Sequence, residues 1–240
     1  MLDSLFYTIS EASALTDQNK ETLKKRCQSG KISGAKKIAN IWLIPKNYVD
    51  DKPNVKAGVY IDGANMVHGC RTIDWTLDYS KVADFIKRRY NPSIISYYDS
   101  LGYEKDKSGE LIEIDKNKYK PNSAQIKFFQ FLEGIGFRVT RKPLKFIGGD
   151  ITKPKNNMDT YITLDVFKEM SRWDTLILFS GDSDFDRLIE EVTPLGKHVH
   201  IFSFSKLLSY ELKMRSFASP LVSYTEINDL KTILERKEDN

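Results

Sequence analysis

The chain has 240 residues, 40% of them hydrophobic and 29% charged, with a formal net charge of +4, so it can bury one α/β core and still form a small extra module. It has no apolar run of the ~20 residues that span a bilayer, and residues 1–4 do not begin a secretory leader; we therefore expect a cytoplasmic protein with no membrane partner. Cys27 and Cys70 are too few for a disulfide framework and lack Cys-x-x-Cys spacing.

The pattern of the chain changes at residues 50–54, where polar residues surround Pro53. This break predicts a module at residues 1–52 and a second domain at residues 53–240. Within the module, residues 8–11 have capping-box spacing and should begin a short helix. A second helix is predicted from about Lys20 to Ser29, with Gly30 as its stop, and a β-wing from 38 to 43 follows.

The first module resembles the winged helix-turn-helix of the MerR/excisionase type over roughly residues 5–50. The matching segments are Tyr7-Thr8-Ile9-Ser10-Glu11-Ala12, Leu23-Lys24-Lys25-Arg26, Ser29-Gly30-Lys31-Ile32 and Ile41-Trp42-Leu43-Ile44-Pro45-Lys46. In that family the second helix enters the DNA major groove, so the resemblance implies nucleic-acid contacts by Gln18, Asn19, Lys20 and Lys24. DNA is thus a candidate partner. Such modules often pair, so a homodimer is a candidate assembly, and a pure docking module is the open alternative.

From Lys56 onward, apolar strands alternate with amphipathic helices. Strands are predicted at residues 58–61, 93–98, 137–141, 175–179, 198–202 and 221–224. Helices are predicted to start near Tyr79, Ser123, Asn157, Asp184 and Lys206. This alternation predicts a three-layer α/β/α sandwich with a central parallel sheet, and the charged stretch 102–120 is predicted to be a mobile loop beside the site.

Carboxylates follow two of the predicted strands. Asp62 ends the first strand, and Asp182 and Asp184 follow the fourth, while Asp159 lies in the first turn of a helix. The carboxyl ends of parallel strands meet at one edge, where such acids repel one another unless a cation compensates. Oxygen ligands without His or Cys indicate Mg²⁺ or Mn²⁺ and favour phosphodiester hydrolysis. Helix capping is the structural alternative for Asp182 and Asp184.

Basic residues surround these acids along the chain, and the relevant lysines are Lys142, Lys145 and Lys155. A basic rim around an acidic centre suits a phosphate backbone led toward bound cations, which predicts that these lysines bind nucleic acid. A solvated charged surface explains the same pattern equally well.

The second domain resembles the NYN family of PIN-like nucleases, in particular its bacterial LabA-like branch. The matching segments, in family order, are Ile61-Asp62-Gly63-Ala64-Asn65, Tyr97-Tyr98-Asp99, Lys142-Pro143-Leu144-Lys145, Met158-Asp159-Thr160 with Leu164-Asp165, and Ser180-Gly181-Asp182-Ser183-Asp184-Phe185 followed by Gly196-Lys197. The resemblance implies a metal-dependent ribonuclease that hydrolyses RNA.

By this resemblance the catalytic and metal-binding acids are Asp62, Asp159, Asp182 and Asp184. Asn65 would position a phosphate or water, and the other supporting residues would be Asp99, Asp165, Ser180 and Ser183. The family usually has Lys-Gly-x-Asp before the helix, whereas this chain has Lys155-Asn156-Asn157-Met158-Asp159, so the lysine's position departs from the pattern.

Two other functions compete with the nuclease. Residues 181–186 fit the Gly-Asp-Ser-x-x-Asp pattern of haloacid-dehalogenase-like phosphatases, but Ala64 stands where that class needs its general acid. A regulator that binds nucleic acid without cutting it is the non-enzymatic alternative. Weaker candidates for base stacking are Tyr97, Tyr98, Tyr103 and Tyr119, although the first two are better explained by packing within a strand.

Overall fold

The computed structural model describes residues 5–16, 18–46, 55–115, 118–147, 150–155 and 158–236. Within these ranges no helix combines the length and the apolar character needed to cross a bilayer. The predicted module boundary at residues 52 and 53 lies outside the described residues.

The amino-terminal module combines two short helices with a small antiparallel sheet. Its elements are β1 (Phe6–Thr8), α1 (Ile9–Leu15), α2 (Lys20–Gln28), β2 (Lys36–Ile38) and β3 (Ile41–Pro45), with strand order β1-β3-β2. Thr8 and Glu11 form the predicted capping box of α1. Ala39 and Asn40 both have positive φ, as a two-residue hairpin turn requires, and they join β2 to β3. The identification of this module as a helix-turn-helix stays a prediction.

The second part of the chain forms a six-stranded sheet in which every neighbouring pair is parallel. The strand order is β13-β12-β11-β4-β5-β8. These strands are β4 (Lys56–Asp62), β5 (Asn91–Leu101), β8 (Arg138–Pro143), β11 (Thr175–Phe179), β12 (His198–Ser203) and β13 (Val222–Glu226). The predicted parallel α/β fold is therefore confirmed.

Helices cover both faces of this sheet. They are α3 (Gly63–Cys70), α4 (Tyr79–Arg89), α5 (Ser123–Gly134), α6 (Asp159–Glu169), α7 (Asp186–Val192), α8 (Tyr210–Ala218) and α9 (Lys231–Leu234). One apolar core contains side chains of α3, α4 and α5, and a second contains side chains of α6, α7 and α8. Successive residues of β11 alternate between the two cores, as expected for a strand buried on both faces.

Two short hairpins lie between the main elements. The stretch predicted to be a loop contains β6 (Glu113–Asp115) and β7 (Lys118–Tyr119), which pair antiparallel. A second hairpin, β9 (Lys145–Ile147) with β10 (Asp150–Lys155), precedes α6 and was not predicted.

The amino-terminal module packs against the end of the chain. Lys20 Nζ lies 2.8 Å from Asp229 Oδ2, and Thr232 Oγ1 donates a hydrogen bond to Glu11. Tyr7 and Leu15 belong to the same apolar core as α4 and α9. The module is thus attached through both apolar and polar contacts.

Candidate active site

Asp62 lies where β4 ends and α3 begins. Its Oδ1 accepts a hydrogen bond from the Asn65 N–H at 3.1 Å, and its Oδ2 accepts one from Ser180 Oγ at 3.1 Å. Asp62 therefore caps the helix and is tied to the neighbouring strand at the same time. The side chain is only 6% exposed.

Two glycines keep the site compact. A Cβ on Gly63 would lie 2.4 Å from the hydroxyl oxygen of Tyr97, and a Cβ on Gly181 would lie 2.5 Å from the Leu207 carbonyl oxygen. Both distances are far below contact distance, so a larger residue would push apart the elements that carry the acids.

The turn after β11 brings two further carboxylates to the same edge. Asn65 Oδ1 accepts the Gly181 N–H at 3.2 Å, which joins this turn to α3. The Asp182 N–H donates to Ser180 Oγ at 3.3 Å, and Asp182 Oδ1 accepts the Asp184 N–H at 3.1 Å. Asp182 thus caps the 3₁₀ turn Ser183–Phe185, on which Ser183 and Asp184 are exposed.

Asp159 is the first residue of α6 and is half-buried beside this turn. Burial raises its pKa, and the charges of Asp182 and Asp184 raise it further, while Lys142 acts in the opposite direction. Burial likewise raises the pKa of Asp62 to about 6; two hydrogen bonds oppose this shift, and the charges of Asp159 and Asp182 add to it. The four carboxylates therefore lie close enough to disfavour one another's charge.

These acids do not yet form a ligand set. Among the residues that the structure describes, no group of three or more His, Cys, Asp or Glu side chains is arranged to hold a metal ion. Helix capping accounts for one contact each of Asp62 and Asp182. Asp159 makes no cap of this kind, but its negative charge suits the first turn of α6, where it interacts favourably with the helix dipole.

Asp99 and Asp165 occupy separate positions. Asp99 is buried at the end of β5, where it accepts hydrogen bonds from the Ser100 N–H at 2.7 Å and from Gln125 Nε2 at 3.4 Å. Asp165 accepts a hydrogen bond from the Tyr98 hydroxyl at 2.9 Å and lies 3.4 Å from Arg138 Nη2. Neither contacts the four acids through these bonds.

Arg138 is the centre of a polar network that sequence reasoning missed. Besides Asp165, it binds the buried carboxylate of Glu169, which also accepts a hydrogen bond from the Tyr60 hydroxyl at 2.8 Å. The i, i+4 spacing of Asp165 and Glu169 on α6 was the available signal. This network fixes α6, and hence Asp159, against the sheet.

The lysines predicted to bind nucleic acid fall into different positions. Lys142 Nζ lies 4.7 Å from the ring centre of Tyr161, near Asp159. The side chains of Lys145 and Lys155 lie outside the described part of the structure.

In the amino-terminal module, Asn19 caps α2 by accepting the Thr22 N–H at 2.8 Å, and Lys20 pairs with Asp229. Gln18 accepts a hydrogen bond from Arg26, and Lys24 is exposed. Lys24 is therefore exposed, whereas Lys20 is engaged with Asp229 of the second domain.

The four stacking candidates differ in their burial. Tyr97 and Tyr98 are fully buried in the sheet, so they cannot stack on a nucleotide. Tyr103 and Tyr119 pack against each other, with ring centres 5.5 Å apart.

Comparisons with known proteins agree with this architecture. The chain is 24% identical over 189 residues to the "Low amplitude and bright protein LabA" of Synechococcus elongatus, which is 76% of this chain and 89% of that protein. It also resembles the crystal structure of a protein of unknown function from Vibrio parahaemolyticus, with a TM-score of 0.55, 23% identity and coverage of 75% of this chain and 96% of the other. This second likeness shows the fold alone.

A family model described as "NYN domain" matches residues 56–220. The match contains five of the six strands of the parallel sheet and all four edge carboxylates. It covers more than half of the chain, and the chain therefore belongs to the NYN-domain family.

Proposed function

We propose that this protein is a metal-dependent ribonuclease that hydrolyses RNA phosphodiester bonds at the edge formed by Asp62, Asp159, Asp182 and Asp184. The observation that carries the proposal is that contacts between three separate chain segments bring their carboxylates to one edge of the parallel sheet. Burial and the neighbouring charges also raise the pKa of Asp62 and of Asp159. Membership of the NYN family supports the proposal, since proteins of that family are generally nuclease-like.

The donor set suits Mg²⁺ or Mn²⁺. Every candidate ligand is a carboxylate oxygen, which hard divalent cations prefer, and a cation would relieve the repulsion that raises the pKa of Asp62. A bound cation supplies an activated water and stabilises the leaving oxygen. The side chains would need to rotate to converge on an ion, because they do not form a ready ligand set in the described structure.

The chain's own groups have defined tasks in this proposal. Ser180 and the Asn65 N–H hold Asp62 in one orientation. The side-chain oxygen of Asn65 accepts a hydrogen bond from the Gly181 N–H. Its amide NH₂ group is therefore the part that can donate to a phosphate oxygen or a water. Lys142, near Asp159, would attract the phosphate backbone.

The test is cleavage of a labelled RNA with Mn²⁺ or Mg²⁺ by the wild type, Asp62→Asn and Asp182→Asn. Asp174→Asn is the matched control, because Asp174 lies next to the start of β11, at the opposite end of the sheet, and its side chain is 73% exposed. We expect each site variant to lose about 100-fold or more in rate, while the control keeps full activity. Cleavage that survives both site substitutions would refute the proposal.

A second measurement does not depend on activity. Mn²⁺ should raise the melting temperature of the wild type and of Asp174→Asn, because it binds the folded state, but not that of Asp182→Asn. Equal shifts in all three proteins would contradict a cation at these acids.

The amino-terminal module is proposed to bind nucleic acid, either DNA or the RNA substrate. Residues 5–46 contain eight Lys and Arg against three Asp and Glu, a larger excess than the whole chain has.

RNA binding without cleavage by the wild type would favour the regulator over the enzyme. The phosphatase alternative gains no support, since Ala64 is a helical residue of α3 with no titratable group. A homodimer and a cytoplasmic location stay predictions.

A further inference from the structure

A cavity lies between the amino-terminal module and the second domain. Its volume is about 120 Å³, similar to that of protein cavities that take up one aromatic ring. Tyr7 of β1 and Leu15 of α1 line it from the module, and Phe85 of α4 and Ile233 of α9 line it from the second domain. The interior of the cavity is therefore apolar, and two of its side chains are aromatic.

The charged side of the cavity comes from one face of α4. Lys81, Asp84, Arg88 and Arg89 line it, and successive members of this set are about one helical turn apart. Three of the four carry a positive charge. Asp84 and Arg88 are exposed, so they stand at the mouth of the cavity.

The fold holds the other two cations in place. Lys81 Nζ donates a hydrogen bond to the Glu235 carbonyl oxygen at 2.5 Å, which ties the segment after α9 to α4. Arg89 Nε donates one to the Tyr90 hydroxyl at 2.8 Å, and this hydroxyl lies 2.9 Å from Nδ1 of the buried His200. The Arg89 guanidinium is thus oriented by a buried hydrogen-bonded chain.

These groups set three requirements for a ligand. The guanidinium groups of Arg88 and Arg89 match a phosphate, with which arginine forms paired hydrogen bonds. The Asp84 carboxylate accepts hydrogen bonds and therefore needs a donor such as a hydroxyl group. The apolar interior suits one ring.

We propose that this cavity binds a nucleoside monophosphate with a single-ring base. The base occupies the apolar interior beside Tyr7 and Phe85, the ribose hydroxyls donate to Asp84, and the phosphate lies against Arg88 and Arg89. Since the lining comes from both parts of the chain, the bound nucleotide strengthens the attachment of the module to the second domain.

This inference does not rest on the proposed nuclease function. Arg89 ends α4 just before β5, and the first residue of β5, Asn91, pairs with Lys56 at the start of β4. Asp62 lies at the other end of β4. The cavity mouth and the acids are therefore directed to opposite edges of the sheet.

The experiment is calorimetric titration of the full chain in EDTA with four probes. The probes are uridine 5′-monophosphate (UMP), uridine, inorganic phosphate and phenyl phosphate. Arg88→Gln removes the exposed cation at the mouth, and Ile233→Trp fills the interior. Arg71→Gln is the matched control, because it makes the same charge change at an exposed residue that follows α3, away from the cavity lining.

We expect UMP to bind at least about 10-fold more tightly than each of the other three probes, since only UMP meets all three requirements. Arg88→Gln should weaken UMP about 10-fold and leave uridine unchanged, because it removes one hydrogen bond to a charged group. Ile233→Trp should weaken UMP and uridine alike. UMP should raise the melting temperature of the wild type and of Arg71→Gln by equal amounts.

Four results would overturn the inference. They are no heat and no melting shift with millimolar UMP, equal affinity for UMP and inorganic phosphate, equal affinity for UMP and phenyl phosphate, and unchanged UMP affinity in Arg88→Gln. The last variant decides the matter even where Ile233→Trp does not fold, because it changes an exposed side chain. RNA cleavage is measured separately, so either proposal can fail without the other.

Discussion

Asp62→Asn is expected to stabilise the metal-free protein at neutral pH, although it should remove activity. Burial and the neighbouring acids raise the pKa of Asp62 from 3.8 to about 6. The charged form is therefore disfavoured in the folded chain. The resulting loss in the free energy of unfolding is absent below about pH 4, grows between pH 4 and 6, and is fully present above pH 6.

The size of this effect follows from the pKa difference. At 1.36 kcal/mol per pKa unit, the rise to about 6 corresponds to roughly 3 kcal/mol of lost stability at pH 7.5. Asparagine carries no charge, and it can still accept the Asn65 N–H and pair with Ser180. The variant should thus recover most of this energy, which is a gain of roughly 6–12 °C in melting temperature for a protein of this size.

The assay is thermal and urea unfolding in EDTA between pH 4 and 8, with Asp174→Asn as the exposed control. The stability gap between Asp62→Asn and the wild type should open with rising pH and close near pH 4. A gap that is independent of pH, or a variant less stable than the wild type at pH 7.5, would refute the reasoning.

Three further predictions concern stability. Arg138→Met removes the nearer guanidinium from the buried Glu169, leaving Arg172 Nη1 at 3.9 Å, and should cost about 2 kcal/mol in urea unfolding, less than for a fully buried pair because the Arg138 side chain is 38% exposed; an unchanged midpoint would contradict this. Gly63→Ala should lose about 1–3 kcal/mol, and adding Tyr97→Phe should restore little of it in the same measurement, because the Tyr97 ring carbon Cζ would lie 2.5 Å from the new Cβ; full recovery would show that the hydroxyl alone is the obstacle. Lys20→Ala removes an exposed ion pair and should cost less than about 1 kcal/mol by thermal unfolding, so a larger loss would mean that the module depends on this contact.

The sequence predicted the buried strands best. The strand predicted at residues 175–179 has the bounds of β11, since the four apolar residues that follow Thr175 are buried on both faces and leave one interpretation. The strand predicted at residues 93–98 was too short, because β5 continues to Leu101 through buried Asp99 and Ser100, which polarity alone assigns to a loop. The helix predicted near Lys206 begins only at Tyr210, where Ser209 caps it.

The acidic edge was predictable, but its surroundings were not. The rule that parallel strands end at one edge placed Asp62 and Asp182 together from sequence alone. The Arg138 network joins strand and helix residues that are 27 and 31 positions apart, and no local pattern reports such a pairing. Exposure of Tyr161 and Tyr210 was equally hidden, because an aromatic residue in a helix normally indicates a core position.

Because Lys20 is paired with Asp229, the Asp229 carboxylate competes for this lysine with any polyanion that binds at the start of α2. A phosphate that engages this ammonium group must displace a carboxylate of the same molecule, so the encounter loosens one of the module's attachments to the NYN domain. The Glu11 hydrogen bond and the apolar contacts of Tyr7 and Leu15 remain. Added salt weakens both the Lys20–Asp229 ion pair and the attraction between Lys20 and the phosphate. The affinity at Lys20 should therefore depend less on ionic strength than the affinity at Lys24.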